Sequence, residues 1–435
     1  MPSPLRIGIA GLGNVGAAVV KLLERQAGAL QGRTGRQITI AGISASQKEK
    51  ERGINLAHFR WFDNCAALAC SPSIDLFVEL IGGADGAALA AAEAALGAGK
   101  SLVTANKALL AKYGMRLAAL AEEKGIALAF EGSVAGGIPI VKTLREGLAG
   151  NSVERVYGIL NGTCNYILTR MESEGLPFAE CLKEAQRLGY AEADPSFDIG
   201  GFDTAHKLAI LTSLAFGTII DPAAISVEGI ESITLADLEA AAELGFRVKL
   251  LGVAQRTPLG IEQRVHPTMV AKSTAIAQVM GVTNAVTIDA DAVRDLTLVG
   301  PGAGGEATAS AIVADIADIA RGVRSAPFGR PVTALTQAPS APMQMHEGGY
   351  YIRLSLYDRP GAAAAIATRM AESGISLESI VQRRSPGVKS APGGPVPVVL
   401  ITHATHEKSV RQALNASIAD GFLAEKPQVI RIERE

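Results

Sequence analysis

The segment Leu188–Lys207 reads LGYAEADPSFDIGGFDTAHK: four acidic residues, Glu192, Asp194, Asp198 and Asp203, lead up to one lysine, Lys207. Asp203 and Lys207 stand four apart, so on a helix they share a face. A solvated surface pair explains them poorly. The residues that follow, Leu208–Leu211, are those of a buried helix, and a lysine on its first turns would face a cleft. An ammonium held there can offer a positive charge and a proton to an oxygen on which negative charge develops. Partial burial and a second cation nearby would lower its pKa and let it take a proton back in the reverse direction.

Near the N-terminus, Gly11-Leu12-Gly13-Asn14-Val15-Gly16 follows the apolar run 5–10 and opens a helical pattern. GxGxxG by itself says little in a chain with 47 glycines; a strand before it and a helix after it give it content. Gly11 would make the tight turn, Gly13 would let the backbone approach a pyrophosphate, and Gly16 would let the helix lie on the strand. The diphosphate would rest on the helix start at Asn14 and Val15, where free N–H groups favour an anion. The alternative is a plain glycine turn. The next β-rich run, Ile38–Ile43, leads into Ser44-Ala45-Ser46-Gln47-Lys48, with neither an acid to bond the ribose nor an arginine. Hydroxyls beside a cation lean towards a 2′-phosphate, hence NADP over NAD.

The elements that must position these groups follow from periodicity. Apolar runs at 5–10, 38–43, 76–81, 101–104 and 126–130 alternate with helical stretches at 85–98 and 107–124. That alternation predicts an α/β fold with a parallel, Rossmann-type sheet over residues 1–150. From 151 to 301 the rhythm changes to an α+β domain, with strands at 153–160, 247–254 and 261–266 and helices near 164–173, 178–188 and 204–216. A helix within 302–324 can pack back on the first domain. The proline-rich stretch 325–348 reads as a linker. Beyond it, 349–435 has the strand–helix–strand–strand–helix–strand order of a ferredoxin-like domain, opened by Ile352, Leu354 and Leu356 alternating with Arg353, Ser355 and Tyr357. Its loop Ser385–Pro397, rich in Gly and Pro, is expected to be mobile.

Lys plus Arg at 41 against Asp plus Glu at 43 gives a net charge of −2, without the basic excess that nucleic acid or a membrane surface asks for. Cys65, Cys70, Cys164 and Cys181 lack paired CxxC spacing and read as reduced thiols of a cytoplasmic protein. No secretion signal is evident, and the apolar runs fall far short of the roughly 20 residues a bilayer needs.

Four stretches in this order resemble homoserine dehydrogenase over roughly residues 5–325: GLGNVG at 11–16, TANKALL at 104–110, EGSVAGGIP at 131–139 and the acidic segment ending at Lys207. The resemblance implies NAD(P)-dependent interconversion of homoserine and aspartate 4-semialdehyde, in threonine, methionine and isoleucine biosynthesis. Carried over by motif, Lys207 would be the proton donor to the substrate's carbonyl oxygen, and Lys107 would contact cofactor and substrate. Thr104 and Asn106 would line the same pocket, and Gly189 would sit beside the nicotinamide. Glu192 and Asp203 would hold the substrate's ammonium and hydroxyl ends.

The same resemblance gives a monovalent-cation site, usually sodium, to the carbonyls of Val134, Gly136 and Ile138 with the Glu131 side chain. Oxygen-only ligands suit a hard cation; a glycine-rich loop opening a helix at Pro139 is the plainer account. The second glycine-rich turn, at 298–309, would bring Gly302–Gly305 near the nicotinamide. The tail resembles an ACT domain, an amino-acid-sensing module, with Asp358-Arg359-Pro360-Gly361 at its effector loop and threonine the expected effector. A homodimer or homotetramer built through the central domain is implied, and no fused kinase is expected ahead of the fingerprint.

Two other readings compete. An aspartate-semialdehyde dehydrogenase would need a cysteine nucleophile with a histidine base, and Cys164 in Asn161-Gly162-Thr163-Cys164-Asn165 is its only candidate. A non-enzymatic NAD(P)-responsive sensor would have no need for a lysine–carboxylate cluster.

Overall fold

The computed structural model describes residues 2–337, 339–382 and 394–433, and among them two sheets organise the chain. The first is parallel: β1 (Leu5–Ala10), β2 (Ile38–Ser44), β3 (Leu76–Glu79), β4 (Ser101–Thr104) and β5 (Leu128–Ala129), in the order β2-β1-β3-β4-β5. The inner strands β1, β3 and β4 are short, mostly apolar and almost wholly buried, as a parallel strand covered on both faces must be. The strand order reverses between β1 and β3, and a crevice opens there at the strands' carboxyl ends, the usual place for a ligand in such a sheet. The turn after β1 is tight for a steric reason. Gly11 adopts φ +93°, a side-chain carbon on it would strike the Leu80 carbonyl, and one on Gly16 would strike the Gly11 carbonyl.

The second sheet has eleven strands: β6 (Val153–Ile159), β7 (Ser226–Val227), β8 (Phe246–Thr257), β9 (Gly260–Ala271), β10 (Thr283–Ala290), β11 (Arg294–Pro301), β12 (Glu347–Tyr357), β13 (Leu377–Gln382), β14 (Pro395–Thr402), β15 (Thr405–His406) and β16 (Gln428–Glu433). The main path runs β11-β10-β6-β8-β9-β16-β12-β14-β13, with β7 paired to β9 and β15 to β12. The C-terminal part keeps the predicted ferredoxin-like arrangement, β16-β12-β14-β13 with helices Ala362–Glu372 and Glu407–Ala419. Asp358–Gly361 stands at its first strand-to-helix turn. Its sheet merges with the central one: β16 lies parallel to β9, with Arg431 opposite Thr268 and Glu433 opposite Val270.

Helix Gly305–Ala320 packs Ala309, Ile312, Val313 and Ile316 into the same cluster as Ile7, Ile9, Val19 and Val20, so the chain returns to the first sheet. The proline-rich stretch before β12 is fastened along the way. Thr336 bridges to Thr218, Ser340 bridges to Ile261, and Phe328 is buried with its ring 5.2 Å from that of Phe130. Extended backbone leaves its polar groups free to pair with neighbouring edges, which is why so little side-chain pattern suffices there. Residues 385–393 of the loop Ser385–Pro397 lie outside the described residues, and Pro395–Pro397 belong to β14. Among the described residues no helix is long and apolar enough to cross a membrane.

Candidate active site

Helix Phe202–Phe216 starts after Gly201, whose φ of +87° turns the chain sharply into it, and places Asp203 in its first turn and Lys207 one turn on. Both are buried, at 3% and 7% exposure. Lys207 Nζ donates to Asp203 Oδ2 at 2.7 Å and to the Leu160 carbonyl at 2.7 Å. Lys107 Nζ lies 2.8 Å from Asp203 Oδ1. Lys107 opens helix Lys107–Glu123 of the first domain, which Asn106 caps by accepting the Leu109 N–H. Just after β6, Asn161 donates its amide to Asp203 Oδ2 at 2.9 Å and to Asp198 Oδ1 at 2.8 Å. Two lysines from different domains thus meet on one carboxylate.

One carboxylate between two ammoniums stays ionised. Burial by itself would raise Asp203, and Lys207 with Lys107 outweighs it, so its pKa lies well below the usual range. Lys207 shows the converse: burial and the charge of Lys107 together overcome the shared Asp203 and lower it. Lys107 is raised in spite of burial, because Asp203, Asp198 and Glu192 all act on it. Burial and neighbouring Asp203 raise Asp198. The arrangement can therefore present a lysine that gives a proton and takes it back. Cys164 cannot serve as a nucleophile here. It is wholly buried and its thiol is pushed far up, the reverse of what a reactive thiolate needs.

The fingerprint is shaped for a ligand. A side-chain carbon on Gly13 would meet nothing within 4 Å. A cleft of about 370 Å³ runs from Gly11 and Gly13 to Ser44, Ser46, Lys50 and Arg52. Arg52 reaches back across it, donating from Nε to the Leu12 carbonyl at 3.1 Å. Gly305 sits against the Asn14 carbonyl, where a side-chain carbon would be only 3.0 Å away, so a second helix start joins the first. Gly189, at φ +75°, likewise has open space around it. Thr104 is wholly buried and donates to Glu79 Oε2 at 2.6 Å, while Glu79 Oε1 accepts the Ile81 N–H at 2.7 Å. Thr104 is thereby tied to the end of β3, and the residues that follow that strand, Leu80 and Ile81, line the cleft.

Glu192 is exposed, near enough for its charge to act on Lys107. Glu131 is buried; its carboxylate accepts the N–H groups of Val141 at 2.9 Å and Lys142 at 2.8 Å, and burial with neighbouring Asp315 pushes it up to about 7. Val134, Gly136 and Ile138 follow in the same loop, which Gly137 ties to the Pro301 carbonyl at 2.9 Å. Among the described residues no group of three or more His, Cys, Asp or Glu side chains could hold a metal ion.

A nucleotide-binding parallel sheet whose crevice faces a shared lysine–aspartate centre on a second domain defines a nicotinamide-nucleotide-linked oxidoreductase. Residues 11–131 match the model of the homoserine dehydrogenase NAD-binding domain, 139–317 that of homoserine dehydrogenase, and 350–419 that of the ACT domain. The chain belongs to the homoserine dehydrogenase family. It is 44% identical over 424 residues to the homoserine dehydrogenase of Pseudomonas aeruginosa, 95% of each chain being covered. The crystal structure of a homoserine dehydrogenase from Thiobacillus denitrificans is similar at a TM-score of 0.93 and 42% identity, covering 99% of this chain and 98% of that one. A hyperthermophilic archaeal homoserine dehydrogenase in complex with NADPH is similar over 72% of this chain and 97% of its own, at 27% identity and a TM-score of 0.62.

Of the residues expected at the site, Lys207, Lys107 and Asp203 are in direct contact. Asp198, one of the four acids of the segment, joins them through Asn161, whose amide bonds both carboxylates; Glu79 and Arg52, which the sequence did not single out, bond elsewhere, to Thr104 and to the Leu12 carbonyl. Only the clustering of Asp198 with the other acids could have pointed to it.

Proposed function

We propose that this enzyme interconverts L-homoserine and L-aspartate 4-semialdehyde with NADP(H), a cytoplasmic step in threonine, methionine and isoleucine biosynthesis. The observation that carries this reading is the meeting of Lys207 and Lys107 on Asp203. The nicotinamide cofactor, when bound, supplies or takes up the hydride. Lys207 Nζ gives its proton to the aldehyde oxygen as charge develops there, and accepts the hydroxyl proton in the other direction; its lowered pKa favours both. Lys107 adds positive charge beside that oxygen and reaches the cofactor. Asp203 aims both ammoniums, and this is its part, since Lys207, Lys107 and Asn161 already engage its oxygens. Glu192 receives the substrate's α-ammonium, and Asp198 takes the place first given to Asp203 as the second carboxylate facing the substrate.

Gly11, Gly13, Asn14, Val15 and Gly16 would hold the diphosphate, with Thr104, Lys107, Gly189 and Gly305 around the nicotinamide end. Two hydroxyls, Lys50 and Arg52 around the cleft favour a 2′-phosphate, and the archaeal relative binds NADPH. Glu131, buried beside Asp315, lacks a full counter-charge, which a sodium ion on the carbonyls of Val134, Gly136 and Ile138 would supply. Threonine acting at Asp358 and Gly361, and a homodimer or homotetramer through the central domain, complete the reading. Homoserine mixed with NADP+ or NAD+, followed at the reduced-cofactor absorbance, tests it. Turnover faster with NADP+ is expected, and no turnover with either would overturn the reading.

A further inference from the structure

Four residues, Val227–Ile230, form a strap beneath the turn that carries the catalytic carboxylates. The Glu228 N–H donates to the Val265 carbonyl at 2.7 Å, and the Ile230 N–H donates to the Ile199 carbonyl at 2.9 Å. Gly229 lies so close to that turn that a side-chain carbon on it would strike the Ile199 carbonyl and come within 2.8 Å of Gly200 Cα. A carbon on Gly201 would stand 3.1 Å from Val227 and 3.0 Å from Val265. Ile199–Gly201 is the backbone between Asp198 and Asp203, so the strap fixes where both carboxylates sit. Contacts this close leave no slack, and close-packed interiors pass displacement on.

What holds the strap comes from the far end of the chain. Glu228 accepts both Nη groups of Arg431 in β16, at 3.0 and 2.9 Å, and Arg411 at 3.4 Å. Arg431 is itself held by Glu407, at 3.1 and 3.0 Å, and is 2% exposed. A forked guanidinium on a carboxylate is directional as well as strong. We propose that Glu228 and Arg431 are positioning residues for the reaction: the last strand of the ACT-like domain presses the strap against the catalytic turn and so places Asp198 and Asp203 relative to Lys207. The proposal rests on the reading of Lys207 and Asp203 given above.

Full-length Gly229→Ala is the direct test, because it inserts one methyl group at the contact and touches neither substrate nor cofactor pocket. Misplacement near 1 Å can cost about 10²-fold, so kcat should fall at least about tenfold, with the cofactor Kd within about twofold. Asp203 would then be drawn away from Lys207, leaving that lysine facing Lys107, Asp198 and Cys164. The pH at which semialdehyde reduction falls off should accordingly move down. Glu228→Gln should do the same more weakly. Arg431→Lys, which keeps the charge without the fork, should fall between Glu228→Gln and wild type. Unchanged kcat and pH profile in both Gly229→Ala and Glu228→Gln, whatever the melting temperature, would overturn the proposal. If Gly229→Ala fails to fold, Glu228→Gln decides alone on the same two readouts. Asp203→Asn run alongside separates the causes: if it retains full activity, the catalytic reading fails; if it is inactive while the strap variants match wild type, only the coupling fails.

Discussion

Two buried ion clusters lie on either side of the strap at 227–230, and they use different cations. The one proposed as catalytic sets Lys207 and Lys107 on Asp203. The one at the seam between β9 and β16 sets Arg431 on Glu228 and Glu407, and Arg264 with Arg155 on Glu433. Burial opposes the charge of Glu433, yet the two arginines hold it down to about 2. A guanidinium keeps its charge at any working pH, whereas a buried ammonium shifts readily. The same burial that makes the seam permanent makes the catalytic centre titratable. The choice of cation, more than the depth of burial, separates a joint from a proton-handling site.

The largest expected effect tests that distinction at its centre. Lys207→Ala should cost about 10²–10⁴-fold in turnover, with folding and cofactor binding retained. Lys207→Arg should be nearly as inactive, because it keeps the charge but cannot give up a proton. Steady-state kinetics decide it, and an active arginine variant would erase the contrast between the clusters. At the seam, Arg431→Ala takes the forked partner from buried Glu407 and half-exposed Glu228, leaving them Arg411 alone, and should cost about 3 kcal/mol in denaturant-measured stability, the lower end for breaking a buried pair. A loss of stability with activity untouched would mean that the seam only joins.

Glu192→Gln comes next. If exposed Glu192 receives the substrate's ammonium as proposed, its change should raise the KM for homoserine about tenfold, the worth of one charged hydrogen bond, and leave the KM for NADP+ alone. A larger change for the cofactor would put Glu192 in the wrong subsite.

The smallest effect concerns a lysine outside both clusters. Lys249 Nζ donates to Asn165 Oδ1 at 3.0 Å and to the Val279 carbonyl at 2.6 Å, and burial lowers it from 10.5 to about 8. Between those two values the unfolded chain binds more protons than the folded one, so stability should rise as pH climbs from about 8 towards 10.5. Below that window the cost of charging the buried group is constant. Melting temperatures across the range, flat in Lys249→Met and rising in wild type, are the expected pair of curves.

What could be read beforehand was what short-range spacing encodes. GLGNVG between strand and helix, the Asp203–Lys207 interval and the alternation at Ile352–Leu356 each need only a few neighbours to be interpreted. The inner strands and most helices were legible for the same reason. The hairpin β10–β11 was not, because Asp289, Asp291 and Asp295 interrupt its apolar alternation. Helix Ala27–Thr34 was hidden by Gly28 and Gly32. At the site, Asn161 is 37 residues from Asp198 and 42 from Asp203, and no local pattern announces such a contact. Arg52 belongs to the cofactor cleft only because its loop folds back after β2. Thr104 could be placed near the pocket by motif, but its buried bond to Glu79, a residue of another strand, depends on the parallel pairing of β3 and β4.

The pairing of β9 with β16 also sets a timetable for synthesis. β9 ends at residue 271 and its partner begins at 428, an interval of 157 residues (428 − 271). β7, made earlier, already covers that edge at Arg264 and Val265, but at about 5–20 residues per second the stretch 268–270 waits roughly 8–30 s on the ribosome unpaired. An open strand edge is a template for foreign strands. The polar residues Glu262, Arg264, His266 and Thr268, which alternate along β9 and end up buried at the seam, would during that interval stand in water and discourage a stray partner. The charges that later lock the sheet together are thus also the ones that keep it unclaimed while the chain is being made.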